Sequence, residues 1–222
     1  MSPRLTLAMF LAVCLAAPAR AADRDPRFLL IGDSHTVGPF GTTLDKLLRQ
    51  KFGPDVGTYA VCGASLRWWQ SSSRAKLSIC YFLRPFKSDA KPGNGAYPAE
   101  PPALDALWGL DPDVLIVALG SNPDGASVDD TITAGAKLLE RLPEGAACFW
   151  VGPPPMPSRL AQIDAFYAAF PDMLKRSGKR CSLIDSRSYL KPEQSRKDHF
   201  YGQPAVDWGQ GVFAKIVSGL LQ

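Results

Sequence analysis

The sequence predicts a doubly wound α/β domain, with five parallel strands in one sheet and helices on both of its faces. Three observations carry this reading. Short runs such as "DVLIVALGSN" are apolar at nearly every position, the pattern of strands buried on both sides. Segments with helical periodicity separate most of these runs, so strands and helices alternate along the chain. Several runs stop abruptly on glycine and small polar residues, as strands do at the rim where such domains place their sites.

The elements follow in order. "RFLLIGD" (27–33) reads as the first strand and "TTLDKLLRQKFG" (42–53) as a helix closed by Gly53. "VGTYAVCG" (56–63) is the second strand and "DVLIVALGSN" (113–122) the third, with a helix in "SVDDTITAGAKLLERL" (127–142). "ACFWVGPPP" (147–155) is a fourth strand stopped by prolines. The segment 157–178 is helical with a bend expected at Pro171, "RCSLIDS" (180–186) is the fifth strand, and 203–222 closes the chain as a helix. Residues 81–102, rich in Pro, Gly, Lys and aromatics, have no period and read as a long functional or mobile loop. There is no internal repeat and no sign of a second domain.

The chain has 222 residues, 46% of them hydrophobic and 21% charged, which suits one globular domain with a true core. Residues 1–21 read as a secretory signal peptide: Arg4, then an apolar stretch from Leu5 to Ala17, then Ala19-Arg20-Ala21 as a cleavage site. The stretch is short for a membrane span. Cys14 lies within it but follows Val13, where a lipoprotein signal prefers a small residue, so a soluble exported protein of residues 22–222, periplasmic or secreted, is expected. Cleavage removes Arg4 and Arg20 and lowers the formal charge from +4 to +2, which gives no reason to expect nucleic acid or an anionic membrane as partner. Cys62, Cys80, Cys148 and Cys181 remain, and an even number in an exported chain points to two disulfides. Of the three possible pairings, Cys62–Cys80 and Cys148–Cys181 are expected, because each joins neighbouring elements.

The chemistry is sought where strands end. Strand one ends at Asp33-Ser34, strand two at Gly63-Ala64-Ser65 and strand three at Gly120-Ser121-Asn122. Parallel strands share a direction, so these ends lie along one rim. A serine hydroxyl is a weak nucleophile unless a base takes its proton and donors receive the oxyanion. The backbone amides of Ser34 and Gly63 and the side-chain amide of Asn122 are candidate donors. For the base there are two histidines: His35 adjoins Ser34 and is poorly placed to reach back to it, whereas His199 lies between the last strand and last helix, where a loop swings over the rim. His35 is expected to pack or to cap the following helix. Each residue alone has a plainer reading: Ser34 as a helix cap, Asn122 as a turn residue before Pro123, Gly63 as a strand-end glycine, His199 as a surface residue. Trp68 and Trp69 read first as core, and second as a pocket wall beside Gly63.

Taken together, "GDSHT", Gly63, "GSN" and the late histidine resemble the SGNH (GDSL-type) hydrolases. The resemblance implies a flavodoxin-like, three-layer α/β/α sandwich. It further implies Ser34 as nucleophile, Ser34, Gly63 and Asn122 in the oxyanion hole, and His199 as base. That family places an orienting acid three residues before the histidine; here the position is Arg196, which accepts no hydrogen bond. Asp198 is taken as third member of the triad, on condition that a tight turn folds it onto its neighbour; Glu193, Asp185 or a backbone carbonyl are the alternatives.

The implied activity is that of an exported serine ester hydrolase working through an acyl-enzyme. Its substrate is an acetyl ester of a carbohydrate or another small acyl ester. An O-acetyltransferase acting on envelope polysaccharide shares the same site, and a non-catalytic carbohydrate-binding protein is the reading that Arg196 invites. No HExxH, GxSxG, P-loop or dinucleotide-binding glycine pattern occurs, so no metal and no cofactor are expected. The sequence leaves the oligomeric state open.

Overall fold

A computed structural model describes residues 25–71, 80–88 and 101–221. The expected signal peptide, residues 1–21, lies outside the described residues, as do residues 89–100 of the long 81–102 segment.

Among the described residues, six strands and seven α-helices form a mixed α/β fold. The strands are β1 (Phe28–Gly32), β2 (Val56–Val61), β3 (Tyr81–Arg84), β4 (Val114–Ala118), β5 (Ala147–Val151) and β6 (Ser182–Ile184). The helices are α1 (Ser34–Val37), α2 (Pro39–Phe52), α3 (Leu66–Gln70), α4 (Leu104–Trp108), α5 (Val128–Glu140), α6 (Leu160–Ser177) and α7 (Gly202–Leu220). The sheet order is β3-β2-β1-β4-β5-β6. Counting only the five parallel strands gives the order 2-1-3-4-5, whose switch point falls between β1 and β4.

The strands alternate side chains between two cores. Leu29 and Ile31 of β1, Leu115 and Val117 of β4 and Trp150 of β5 meet Ile132 and Leu139 of α5 and Phe166 and Phe170 of α6. On the opposite face Phe28, Leu30, Val114, Ile116 and Phe149 meet Leu44 and Leu48 of α2 and Trp208, Val212 and Ile216 of α7. Both faces of the central strands are thus covered, which is why their sequences are apolar throughout. The helices begin where local chemistry starts them: Pro39 stands in the first turn of α2, and Ser127 and Asp130 form a reciprocal capping box at α5.

The strand count departs from the expected five. β3 pairs antiparallel with β2 at the sheet edge, from Thr58 opposite Arg84 to Val61 opposite Tyr81. Its four residues are too few to show a period, and what holds them is distant in sequence. Arg84 pairs with the buried Asp45 of α2 at 2.7 Å, and a disulfide joins Cys62 to Cys80. Both expected disulfides are formed, the second being Cys148–Cys181 between β5 and the start of β6. Pro171 lies inside α6, which runs through it to a left-handed Gly178.

Candidate active site

The site is assembled at the carboxyl ends of the parallel strands. β1 ends on Gly32, where an added Cβ would collide with the side chain of Thr36; the strand turns directly into α1 only because nothing stands there. The turn puts Asp33 at the N-cap, its carboxylate accepting the amide of His35 at 3.0 Å, and Ser34 at the first helical position, half-buried and reachable. Trp69 of α3, almost wholly buried, donates its indole N–H to the Gly32 carbonyl at 3.3 Å and props the end of β1.

His199 arrives from the loop before α7. Arg196 and His199 exchange backbone hydrogen bonds of 2.7 and 3.1 Å, closing a two-residue turn in which Lys197 and Asp198 both have positive φ, 49° and 61°. Such turns are normally occupied by Asn, Asp or Gly, so a lysine here holds backbone strain beside a candidate site. The turn presents the His199 ring to Ser34, with Nε2 3.0 Å from Ser34 Oγ. Nδ1 lies 3.0 Å from the Lys197 carbonyl. A carbonyl only accepts, so Nδ1 carries the hydrogen and Nε2 offers its lone pair to the serine hydroxyl. That is the arrangement a general base requires.

Asp198 does not orient this ring by a hydrogen bond. The expected tight turn is present, but it aims the carboxylate outward, where it accepts from the Ser158 amide at 3.1 Å and from the Ser158 hydroxyl. These hydrogen bonds hold the Asp198 carboxyl below its ordinary range. Asp185 is committed to Arg187. Of the orienters considered from sequence, the backbone carbonyl is the one found on the ring.

Gly63 and Asn122 flank the serine's strand from β2 and β4. Gly63 has φ +79°, a conformation strained for any other residue. Asn122 donates from its side-chain nitrogen to the Ala64 carbonyl at 3.0 Å, and among the described residues its second N–H has no partner. A further tie joins the same two loops, as the buried Asp124 accepts the Arg67 amide at 2.7 Å.

His35 packs, as expected, but the sequence did not foretell that its partner would be the ring of His199. His35 is buried, and its ring stacks on His199 with centroids 4.9 Å apart, while Trp208 meets it edge-on. Burial pushes the His35 imidazole down to about 3, so it is neutral at physiological pH. Burial also raises the Asp33 carboxyl to about 6, against the His35 amide that favours its charge. The adjacent letters "DSH" were the available signal. Among the described residues, no cluster of three or more His, Cys, Asp or Glu side chains forms a candidate metal site, and no helix is long and apolar enough to cross a membrane.

No family model matches the chain, and no curated protein matches it by sequence. Solved structures resemble it in fold. A carbohydrate acetylesterase family member from Sinorhizobium meliloti superposes with a TM-score of 0.56 at 15% identity, covering 88% of this chain and 100% of the other. An aryl esterase of M. smegmatis gives 0.56 at 15% identity, covering 87% and 99%. The C-terminal catalytic domain of peptidoglycan O-acetyltransferase A from Streptococcus pneumoniae gives 0.52 at 13% identity, covering 88% and 94%. At these identities the likeness is one of fold.

Proposed function

We propose that the protein is an exported SGNH-type serine ester hydrolase. The observation that carries this reading is the 3.0 Å contact between Ser34 Oγ and an Nε2 whose tautomer is set by the Lys197 carbonyl. In the reaction, Ser34 Oγ attacks the ester carbonyl carbon while its proton passes to His199 Nε2. The oxyanion is received by the Ser34 and Gly63 amides and the second N–H of Asn122. The C–O bond to the alcohol breaks, the alcohol leaves with the proton from His199, and the acyl group stays on Ser34. Water then attacks the acyl-enzyme, gives its proton to His199, and the acid departs as Ser34 regains its proton.

Acetyl esters of carbohydrates or of other small alcohols are the proposed substrates, supported by the acetylesterases among structures of similar fold. Export is supported by the leader-like residues 1–21 and by the two disulfides. The likeness to the O-acetyltransferase domain favours a second reading, in which a sugar hydroxyl replaces water in the last step. The test is hydrolysis of p-nitrophenyl acetate with mass analysis after a fluorophosphonate probe. The wild type turns over and gains the adduct on Ser34, Ser34→Ala does neither, and equal rates from the two proteins would refute the reading. Acetyl transfer to added oligosaccharide, exceeding release of acetate, would select the transferase.

A further inference from the structure

A groove of about 520 Å³, within the range of small-molecule sites, is lined by residues that precede and follow His199 in the chain. Its walls are Glu193 to Arg196 and Tyr201 to Pro204. Tyr201 is 53% exposed, one of three large hydrophobic side chains that are exposed among the described residues, and its ring stacks near that of His199 with centroids 6.2 Å apart at 28°. Tyr201 occupies the N-cap of α7, where its side chain makes no capping hydrogen bond and where Ser, Thr, Asp or Asn are favoured.

The polar side chains around it keep hydrogen-bonding capacity to spare. Arg196 has its backbone fixed by the His199 turn, while its exposed guanidinium has no ion pair or hydrogen bond among the described residues. Gln194 uses its carbonyl oxygen on the Lys191 amide at 2.8 Å and keeps its NH2. Gln203 uses its NH2 on Asp207 at 2.6 Å and keeps its carbonyl oxygen. Glu193 is exposed and carries no ion pair among the described residues. The groove therefore offers donors from Arg196 and Gln194, acceptors from Glu193 and Gln203, and one aromatic face. Arg196 and Glu193 balance in charge, which selects against a strongly ionic ligand, and so polar a lining does not suit a fatty acyl chain.

We infer that this groove holds the alcohol half of the ester, and that this alcohol is a sugar whose C–H face stacks on Tyr201 while its hydroxyls bridge Arg196, Glu193, Gln194 and Gln203. A sugar hydroxyl both donates and accepts, so it uses the mixed lining in a way that a simple alcohol does not. The placement follows from the chemistry: the leaving oxygen must take its proton from His199 Nε2, and Tyr201 continues outward from that ring. Arg196, the residue that departs from the expected acid, thereby acquires a role in recognition.

The inference rests on the ester-hydrolase reading, and the test separates the two. Rates are measured on mono-O-acetylated methyl glucoside, galactoside and xyloside and on p-nitrophenyl acetate, for wild type, Tyr201→Ala, Tyr201→Trp and Arg196→Ala. The ratio of kcat/KM on the best glycoside to that on p-nitrophenyl acetate is expected to fall about ten-fold in Tyr201→Ala and in Arg196→Ala, largely through KM, and to be retained in Tyr201→Trp. Losses in equal proportion on all esters would overturn it, because a general disturbance of His199 does not discriminate between alcohols. If the wild type hydrolyses none of the esters, the hydrolase reading fails, and saturation-transfer NMR of the unacetylated methyl glycosides tests the groove by itself. Signals present with wild type and lost in Tyr201→Ala support a sugar site; absent or unaltered signals overturn it.

Discussion

The Nδ1–H of His199 is held by the carbonyl of Lys197, an acceptor that carries no side-chain signature and cannot be removed by substitution. Ser34 and His199 could be singled out because the proposed roles demand particular side chains in a particular order, whereas a backbone role leaves no letter to read. The geometry makes a sharp statement about Asp198. Were it the orienting acid, Asp198→Asn would cost about 10⁴-fold in kcat, as in a triad protease. Because it accepts from Ser158 instead, and asparagine keeps an acceptor, we expect a loss below about ten-fold in steady-state kinetics. A triad-sized loss would restore Asp198 to the ring. The buried pair behind the site gives a prediction in pH. Asp33, raised from 3.8 to about 6, stabilises the fold below pH 3.8, and that contribution is lost as pH rises through about 6. His35, lowered from 6.5 to about 3, stabilises above pH 6.5, and that contribution is lost as pH falls toward about 3. Between about pH 4 and 6 the folded chain binds one more proton at Asp33 and the unfolded chain one more at His35, so the two slopes cancel. Asp33→Asn keeps the acceptor for the His35 amide but does not titrate. Its urea-unfolding free energy should fall, relative to wild type, by about 1.4 kcal/mol per pH unit between pH 6 and 4. Parallel curves for the two proteins would contradict this.

At the scale of elements, the loops beyond the strands are linked hand to hand around the rim. Asn122 after β4 holds Ala64 after β2, Arg159 after β5 donates to the Ser121 carbonyl at 2.6 Å, and Ser158 holds Asp198 before α7. The contact of His199 with Ser34 closes the ring back to β1. The sequence marked where these loops begin, since buried strands end visibly. It did not mark the links, which join residues 38 to 165 positions apart. For the same reason β3 escaped notice: its Arg84 finds Asp45 across 39 residues. The Ser158–Asp198 link positions the turn that carries His199, so the two side chains should behave as one unit. Ser158→Ala and Asp198→Ala are each expected to lower kcat about five-fold, on the scale of one side-chain hydrogen bond, and the double variant no further. Multiplying effects in that double-mutant cycle would show that the link is not what positions the base.

Across the whole molecule, the two disulfides staple opposite edges of the sheet, one at β2–β3 and the other at β5–β6, while in the middle β1 leads to Ser34 and β4 to Asn122. The edge strands have four and three residues, too short to hold by pairing alone, so covalent closure falls where the ladder is weakest. The pairings could be anticipated because an alternating α/β chain sets neighbouring strands side by side; that one staple clasps an antiparallel strand could not. The staples differ in where they stand along the strands. Cys62 directly follows β2 and precedes Gly63 at the rim of the candidate site, whereas Cys148 lies near the start of β5 and Cys181 just before β6, at the opposite rim. Closing loops of 18 and 33 residues stabilises by about 3 to 4 kcal/mol each. Replacing either pair by alanines should therefore lower the Tm comparably and quicken amide hydrogen exchange first in the strand it held, β3 or β6, with β1 and β4 exchanging last. Activity should part the two variants. With both still folded at the assay temperature, loss of Cys62–Cys80 should loosen the Gly63 amide and lower kcat on p-nitrophenyl acetate, while loss of Cys148–Cys181 should leave the proposed oxyanion donors in place. Equal losses of kcat would mean that the second staple reaches the site through the sheet, and that the two rims are mechanically one.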